Sequence, residues 1–148
     1  MNFRFKLEPV LRYRQTREEA LKKELSQLTF LAAKEQARLA QLETSLQSQF
    51  AEWRAAQRAQ LNMELLNFLV RHCERLRRER TAQQERVHQA RQAVERKRQE
   101  VVKASQEREV LARLREKQRA GFLAECWRHE QDALDEFATQ RYARSGEG

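Results

Sequence analysis

Between positions 10 and 120 the chain contains no glycine and no proline. The single proline is Pro9, and Gly146 and Gly148 lie at the end, which leaves Gly121 as the only interior glycine. Tight turns draw on Gly, Pro, Asn, Asp and Ser for their special dihedrals. A chain of 148 residues with so few breakers is a poor candidate for a sheet fold or a compact multi-helix bundle. Its Glu, Lys, Arg, Gln, Ala and Leu content favours helix nearly everywhere. The expectation is an all-α protein of very few, very long helices with little globular core.

Apolar residues recur in steps of three and four from Leu21, through Leu25, Leu28, Ala32, Glu35, Leu39, Leu42, Leu46 and Gln49 to Trp53, with Phe50 beside the series. That period gives a narrow stripe suited to a partner helix. Glu35 and Gln49 interrupt it. A second, thinner series runs through Val87, Ala90, Val94, Lys97, Val101, Ala104, Arg108 and Leu111, and continues raggedly through Leu114, Phe122, Leu134 and Phe137.

One unbroken helix would have to dimerise to cover its stripe. A hairpin covers it internally, and the reversal is placed between about Ala56 and Asn67. There the first heptad loses register, Asn62 and Asn67 appear, and an apolar cluster from Leu61 to Val70 follows. The reading is a long two-helix antiparallel coiled-coil hairpin forming one domain over 1–148. Helix 1 is expected at about 8–58, the turn at about 59–67, helix 2 at about 68–141 and a frayed tail at 142–148, with arms of nearly equal length. Pro9 suits a first helical turn, where its missing amide hydrogen has no intrahelical partner. A reversal without Gly or Pro suggests a short extra helical piece inside it, and Gly121 marks a bend or a tolerated defect.

No stretch approaches the roughly 18 apolar residues of a membrane span, and the opening lacks a signal-peptide core. Both point to a cytoplasmic protein, either free or peripheral to a membrane. The formal net charge is +8. The excess gathers between Arg71 and Arg98, where ten basic side chains face four Glu, and such a segment attracts acidic partners.

The search for chemistry yields no catalytic, cofactor or metal site. His72 with Cys73, and Cys126 with His129, are two separate ligand pairs, each short of the three or four ligands that a metal needs. Acidic pairs such as Glu18 with Glu19 and Asp135 with Glu136 read as solvated surface. A two-stranded coil also lacks a cleft in which Cys73 or Cys126 could meet a base. Specific nucleic-acid binding is disfavoured, because the better heptads precede the basic segment and glutamates interrupt it. Around the proposed turn, Phe50 and Trp53 precede it and Leu66, Leu69, Cys73 and Leu76 follow. They either close the hairpin by packing together or face outward as a docking patch.

The two ends carry distinctive strings. Phe3-Arg4-Phe5-Lys6-Leu7-Glu8-Pro9-Val10-Leu11-Arg12-Tyr13-Arg14, followed by Glu18-Glu19, resembles the opening of the flagellar export protein FliJ family. Leu134-Asp135-Glu136-Phe137-Ala138 resembles its closing segment. The likeness covers essentially the whole chain. It implies a non-catalytic component of the flagellar type III export apparatus, similar in fold to the coiled-coil part of the ATP synthase gamma subunit. The partners it implies are the hexameric export ATPase, whose ring assembly it promotes, the membrane export gate protein, an ATPase regulator and export chaperones.

By the same likeness, Phe5, Leu7, Leu11 and Arg14 on one arm, and Arg128, Asp135, Phe137 and Arg141 on the other, would enter the ATPase ring. Leu42, Leu46, Gln49 and Trp53, with Leu69, Cys73, Leu76 and Arg80, would face the gate. Here Gln49 stands where the family pattern has an aromatic, and Cys73 where it has leucine. The competing readings are the equivalent stalk of a virulence-type type III secretion system, a homodimeric structural or adaptor rod, and a basic nucleic-acid-binding coiled coil.

Overall fold

The computed structural model describes residues 2–59 and 62–146. It is built of two helices, α1 (Glu8–Arg58, 51 residues) and α2 (Met63–Ser145, 83 residues), paired antiparallel, with no strand among the described residues. The expected antiparallel hairpin is therefore borne out. Its arms are not of nearly equal length: the reversal falls early in the chain, so α2 outruns α1.

The helix ends follow from local chemistry. The Glu8 amide donates to the Phe5 carbonyl at 3.2 Å and the Leu11 amide to the Leu7 carbonyl at 2.9 Å, which starts α1 with Pro9 in its first turn. Glu8 places an acid where the helix dipole favours one. At the reversal, Asn62 Oδ1 accepts the Glu64 amide at 3.1 Å, and the Asn62 carbonyl accepts the Leu66 amide at 3.2 Å. This is an N-cap, with a side-chain oxygen replacing the missing intrahelical acceptor. The cap starts α2 at Met63, ahead of position 68, and leaves only residues 59–62 between the helices. The expected short extra helical piece would fall on Gln60 and Leu61, whose structure lies outside the described residues.

The chain divides into two compact units, Glu19–Val102 and Met1–Glu18 with Lys103–Gly148. In the first, Leu42, Leu46 and Leu76 form a core cluster with Phe50 packed against it, and Leu21, Leu39, Ala56, Leu69, Cys73, Gln83 and Val87 are also buried. Removing a Leu side chain from water contributes about 1.5–3 kcal/mol, so a few such layers stabilise the pairing. In the second unit the buried residues are Phe5, Leu11, Glu18 and Ala104.

Polar residues in the contact stripe pair across it. Gln83 Nε2 donates to the Glu35 carbonyl at 2.9 Å and also to the Glu35 carboxylate. Lys97 Nζ bridges Glu24 at 2.8 Å and Glu100 at 2.9 Å. The hydrogen bond to Glu24, then that to Glu100, holds the ammonium above the ordinary lysine value of 10.5. A raised value contributes stability below the unfolded pKa and loses it as pH climbs past the folded one, so this bridge persists through neutral pH and fails only in strong alkali.

In the second unit, the Glu18 carboxylate, 3% exposed, accepts Ser105 Oγ at 3.0 Å and Arg108 Nε. Arg14 Nη1 reaches Glu107 Oε2 at 2.5 Å, and Arg115 reaches Glu8 at 3.3 Å. A buried carboxylate without partners is costly, and one with them is close to neutral against an apolar substitute.

Two outcomes follow. Glu18→Ala is expected to destabilise by about 1–3 kcal/mol, because Arg108 and Ser105 lose their acceptor. Glu18→Leu with Arg108→Leu should return stability to within about 1 kcal/mol of the parent. Urea unfolding followed by circular dichroism measures both, and equal losses in the two variants would contradict the account. At Gly121, α2 continues as helix and an added Cβ meets open space. Gly121→Ala should therefore stabilise by about 0.5–1 kcal/mol in the same assay.

Candidate functional site

Nothing in the described residues assembles catalytic or metal chemistry. They contain no group of three or more His, Cys, Asp or Glu placed to hold a metal ion. Cys73 and Cys126 are both free, Cys73 buried in the stripe and Cys126 half-buried. His72 stacks on Phe68 with ring centroids 6.3 Å apart, and its Nδ1 accepts from Arg75 Nη2 at 2.7 Å. No helix among the described residues is long and apolar enough to cross a membrane. The functional surfaces are accordingly those that the helix pairing leaves uncovered.

The residues expected to meet an ATPase separate into two groups. Phe5 and Leu11 are buried, Leu11 at 1% exposure, and Arg14 is tied to Glu107, so these three anchor the N-terminal segment on α2. Leu7 stays exposed. Phe3 packs against Phe122 with centroids 5.7 Å apart. Beyond that contact α2 runs on, and every described residue from Trp127 to Gly146 is exposed. Arg128, Asp135, Phe137 and Arg141 all lie on this overhang, and the structure does not bring them together with the N-terminal four. The expected fray from residue 142 gives way to helix through Ser145, where the Ser145 hydroxyl and the Gly146 amide both donate to the Tyr142 carbonyl.

The residues expected to face a gate lie mostly inside the pairing. Leu42, Leu46, Leu69, Cys73 and Leu76 are buried, while Gln49, Trp53 and Arg80 are half-buried. Outside them sits a shallow groove lined by Phe50, Trp53, Val70, Cys73, Glu74 and Arg77. The Arg77 guanidinium lies 4.8 Å from the centre of the Phe50 ring, a cation–π contact between the exposed Arg77 and the half-buried Phe50. Met63, Phe68, Leu65 and Val70 are exposed on the first turns of α2.

A family model described as the flagellar FliJ protein matches residues 3–147. The chain belongs to the flagellar FliJ protein family. Neither a curated protein nor a solved structure matches it. FliJ membership together with the coiled-coil fold gives the protein a non-enzymatic stalk role in the flagellar export apparatus.

Sequence reasoning missed three features that matter for this FliJ chain. The second contact series does not start at Val87. Stepping back by four and three from Val87 reaches Gln83, Arg80, Leu76, Cys73, Leu69 and Leu66, all buried or half-buried. The polar pair Gln83 and Arg80 hid that continuity. Glu18 and Arg14 extend the first series in the same way towards Leu11. The third feature is the set of apolar side chains exposed on the α2 overhang: Trp127 at 70%, Leu134 at 67%, Phe137 at 64% and Tyr142 at 84%. Leu134 and Phe137 already closed the ragged second series, which assigned them to the hairpin contact rather than to an uncovered face, and Trp127 and Tyr142 stood outside it.

Proposed function

We propose that the protein is a stalk that binds the hexameric flagellar export ATPase, promotes its ring assembly and links it to the membrane export gate protein. The observation that carries this reading, beyond family membership, is the length mismatch of the two helices, which leaves the end of α2 uncovered. A single helix with its side chains is about 10–12 Å across, narrow enough to enter the centre of a ring. Arg128, Asp135, Phe137 and Arg141 then meet the ATPase, and the buried Phe5 and Leu11 with the half-buried Arg14 hold the N-terminal segment at the base of that overhang. Leu7 adds an exposed contact beside them.

Towards the gate, Gln49, Trp53 and Arg80 supply the accessible surface, and Leu42, Leu46, Leu69, Cys73 and Leu76 set its shape from beneath. Conformational coupling needs contacts at both sites that differ between states, and a continuous helix joining two contact regions suits that task. An ATPase regulator and export chaperones complete the proposed partners. The proposed location is cytoplasmic, at the inner-membrane face of the flagellar base. Family identity favours the flagellar apparatus over the equivalent virulence-type system.

The test is hydrolysis by the export ATPase of the same organism, titrated with this protein while light scattering follows ring assembly. Assembly at lower ATPase concentration and faster turnover are expected. Arg128→Glu should shift the titration about tenfold or more to higher concentration with unchanged helicity. Absence of binding by the parent chain would sink the ATPase assignment.

A further inference from the structure

The overhang of α2 has a contact register of its own. Carrying the hairpin register of α2 past the half-buried Phe122 leads to Glu125, His129, Asp132 and Glu136, which are polar and exposed, and Cys126 beside that line is the last half-buried residue. A second series begins one residue later, at Leu123, and proceeds in steps of four and three through Trp127, Glu130, Leu134, Phe137 and Arg141 to Arg144, apolar at Leu123, Trp127, Leu134 and Phe137 and charged at the other three. One residue is about 100° of rotation at 3.6 residues per turn. The overhang therefore presents its stripe in a different direction from the face that packs on the N-terminal segment. It is a separate surface with three large apolar side chains, Trp127, Leu134 and Phe137, standing mostly in solvent.

We infer that this stripe is a homodimerisation surface, and that its occupant is the overhang of a second copy of this chain, running antiparallel. The argument is self-complementarity. Antiparallel pairing with a two-fold axis between Leu134 and Phe137 sets Leu134 of each copy against Phe137 of the other. In the next layer outward, Glu130 meets Arg141, and in the layer beyond, Trp127 meets Arg144 as a cation–π pair. Each contact occurs twice, as an isologous interface requires. Parallel pairing on the same stripe sets Glu130 against Glu130 and Arg141 against Arg141, so charge selects the antiparallel form. A lone helical segment in water is marginal without a packed face, and the second copy supplies one.

The inference stands independently of the ATPase reading. On that reading, the dimer covers Phe137 and Arg141 and is a state of the stalk away from the ring.

Sedimentation equilibrium of the full chain over a wide concentration range tests it. The parent is expected to pass from monomer to dimer. Glu130→Arg and Arg141→Glu, both at exposed positions, should each weaken the dimer about tenfold or more, because both copies of the charged layer become repulsive. Combining the two reversals restores opposite charges across the interface and should recover the parent affinity. Circular dichroism verifies that helicity is unchanged. A parent that stays monomeric throughout overturns the inference, and so does a dimer indifferent to the single reversals. Failure of the double variant to recover overturns the antiparallel register and, with it, the proposal.

Discussion

Everything in this protein depends on a contact stripe only one side chain wide on each helix. Two helices have no second layer to fall back on, so each apolar position in the stripe accounts for a large share of the available burial. Leu42, Leu46 and Leu76 form the densest part, close to the reversal. Away from them the stripe is increasingly polar, and stability there depends on matching side chains rather than on apolar area. Glu35 with Gln83, Lys97 with Glu24 and Glu100, and Glu18 with Ser105 and Arg108 are the matches. Apart from Lys97 with Glu100, which lie on the same helix, each is satisfied only in one alignment of the helices, because a slip would bury a charge or amide against an apolar neighbour. Polar layers thereby specify register in a stripe too thin to do so by shape alone.

This economy suits a stalk. The proposed function asks this stalk to present separate contact regions along one molecule, and continuous helices do so with few residues. The surface stays largely charged outside the stripe. Exposed apolar side chains such as Phe30 and Val110 are scattered along the helices, but several stand close together in two places. One is the start of α2, with Met63, Phe68 and the groove beside Phe50 and Trp53. The other is the overhang, with Trp127, Leu134, Phe137 and Tyr142. Exposed aromatic and aliphatic anchors are the residues that dominate protein association, which makes these two regions the places where partners are to be sought.

Much of the fold was legible without coordinates. The lack of Gly and Pro implied long helices, the heptads implied pairing, and the loss of register near Asn62 located the reversal. The cap that Asn62 forms was not foreseen. Its importance lies in a hydrogen bond to the Glu64 amide that depends on the backbone path, not on residue type alone. The proposed contact residues were less legible. Leu42, Leu46, Leu69, Cys73 and Leu76 were candidates for packing or docking alike, because an apolar residue at helical spacing looks the same in either role, and the structure buries them. Arg128, Asp135, Phe137 and Arg141 were assigned to an end shared with Phe5 and Leu11. The two groups are distributed differently, since α2 continues past the point where Phe3 meets Phe122.

The sequence by itself determined helix type, the three-and-four spacing of each stripe and the lack of catalytic or metal-binding motifs, because these are properties of residues near one another along the chain. Only the tertiary structure decided which polar residues meet, that Glu18 is satisfied rather than solvated, and that the end of α2 has no partner from α1. Those outcomes depend on where the reversal falls. Its position sets which residue of α1 lies opposite which residue of α2, and a shift of a few residues in a turn changes every such pairing while leaving the local pattern of both helices untouched.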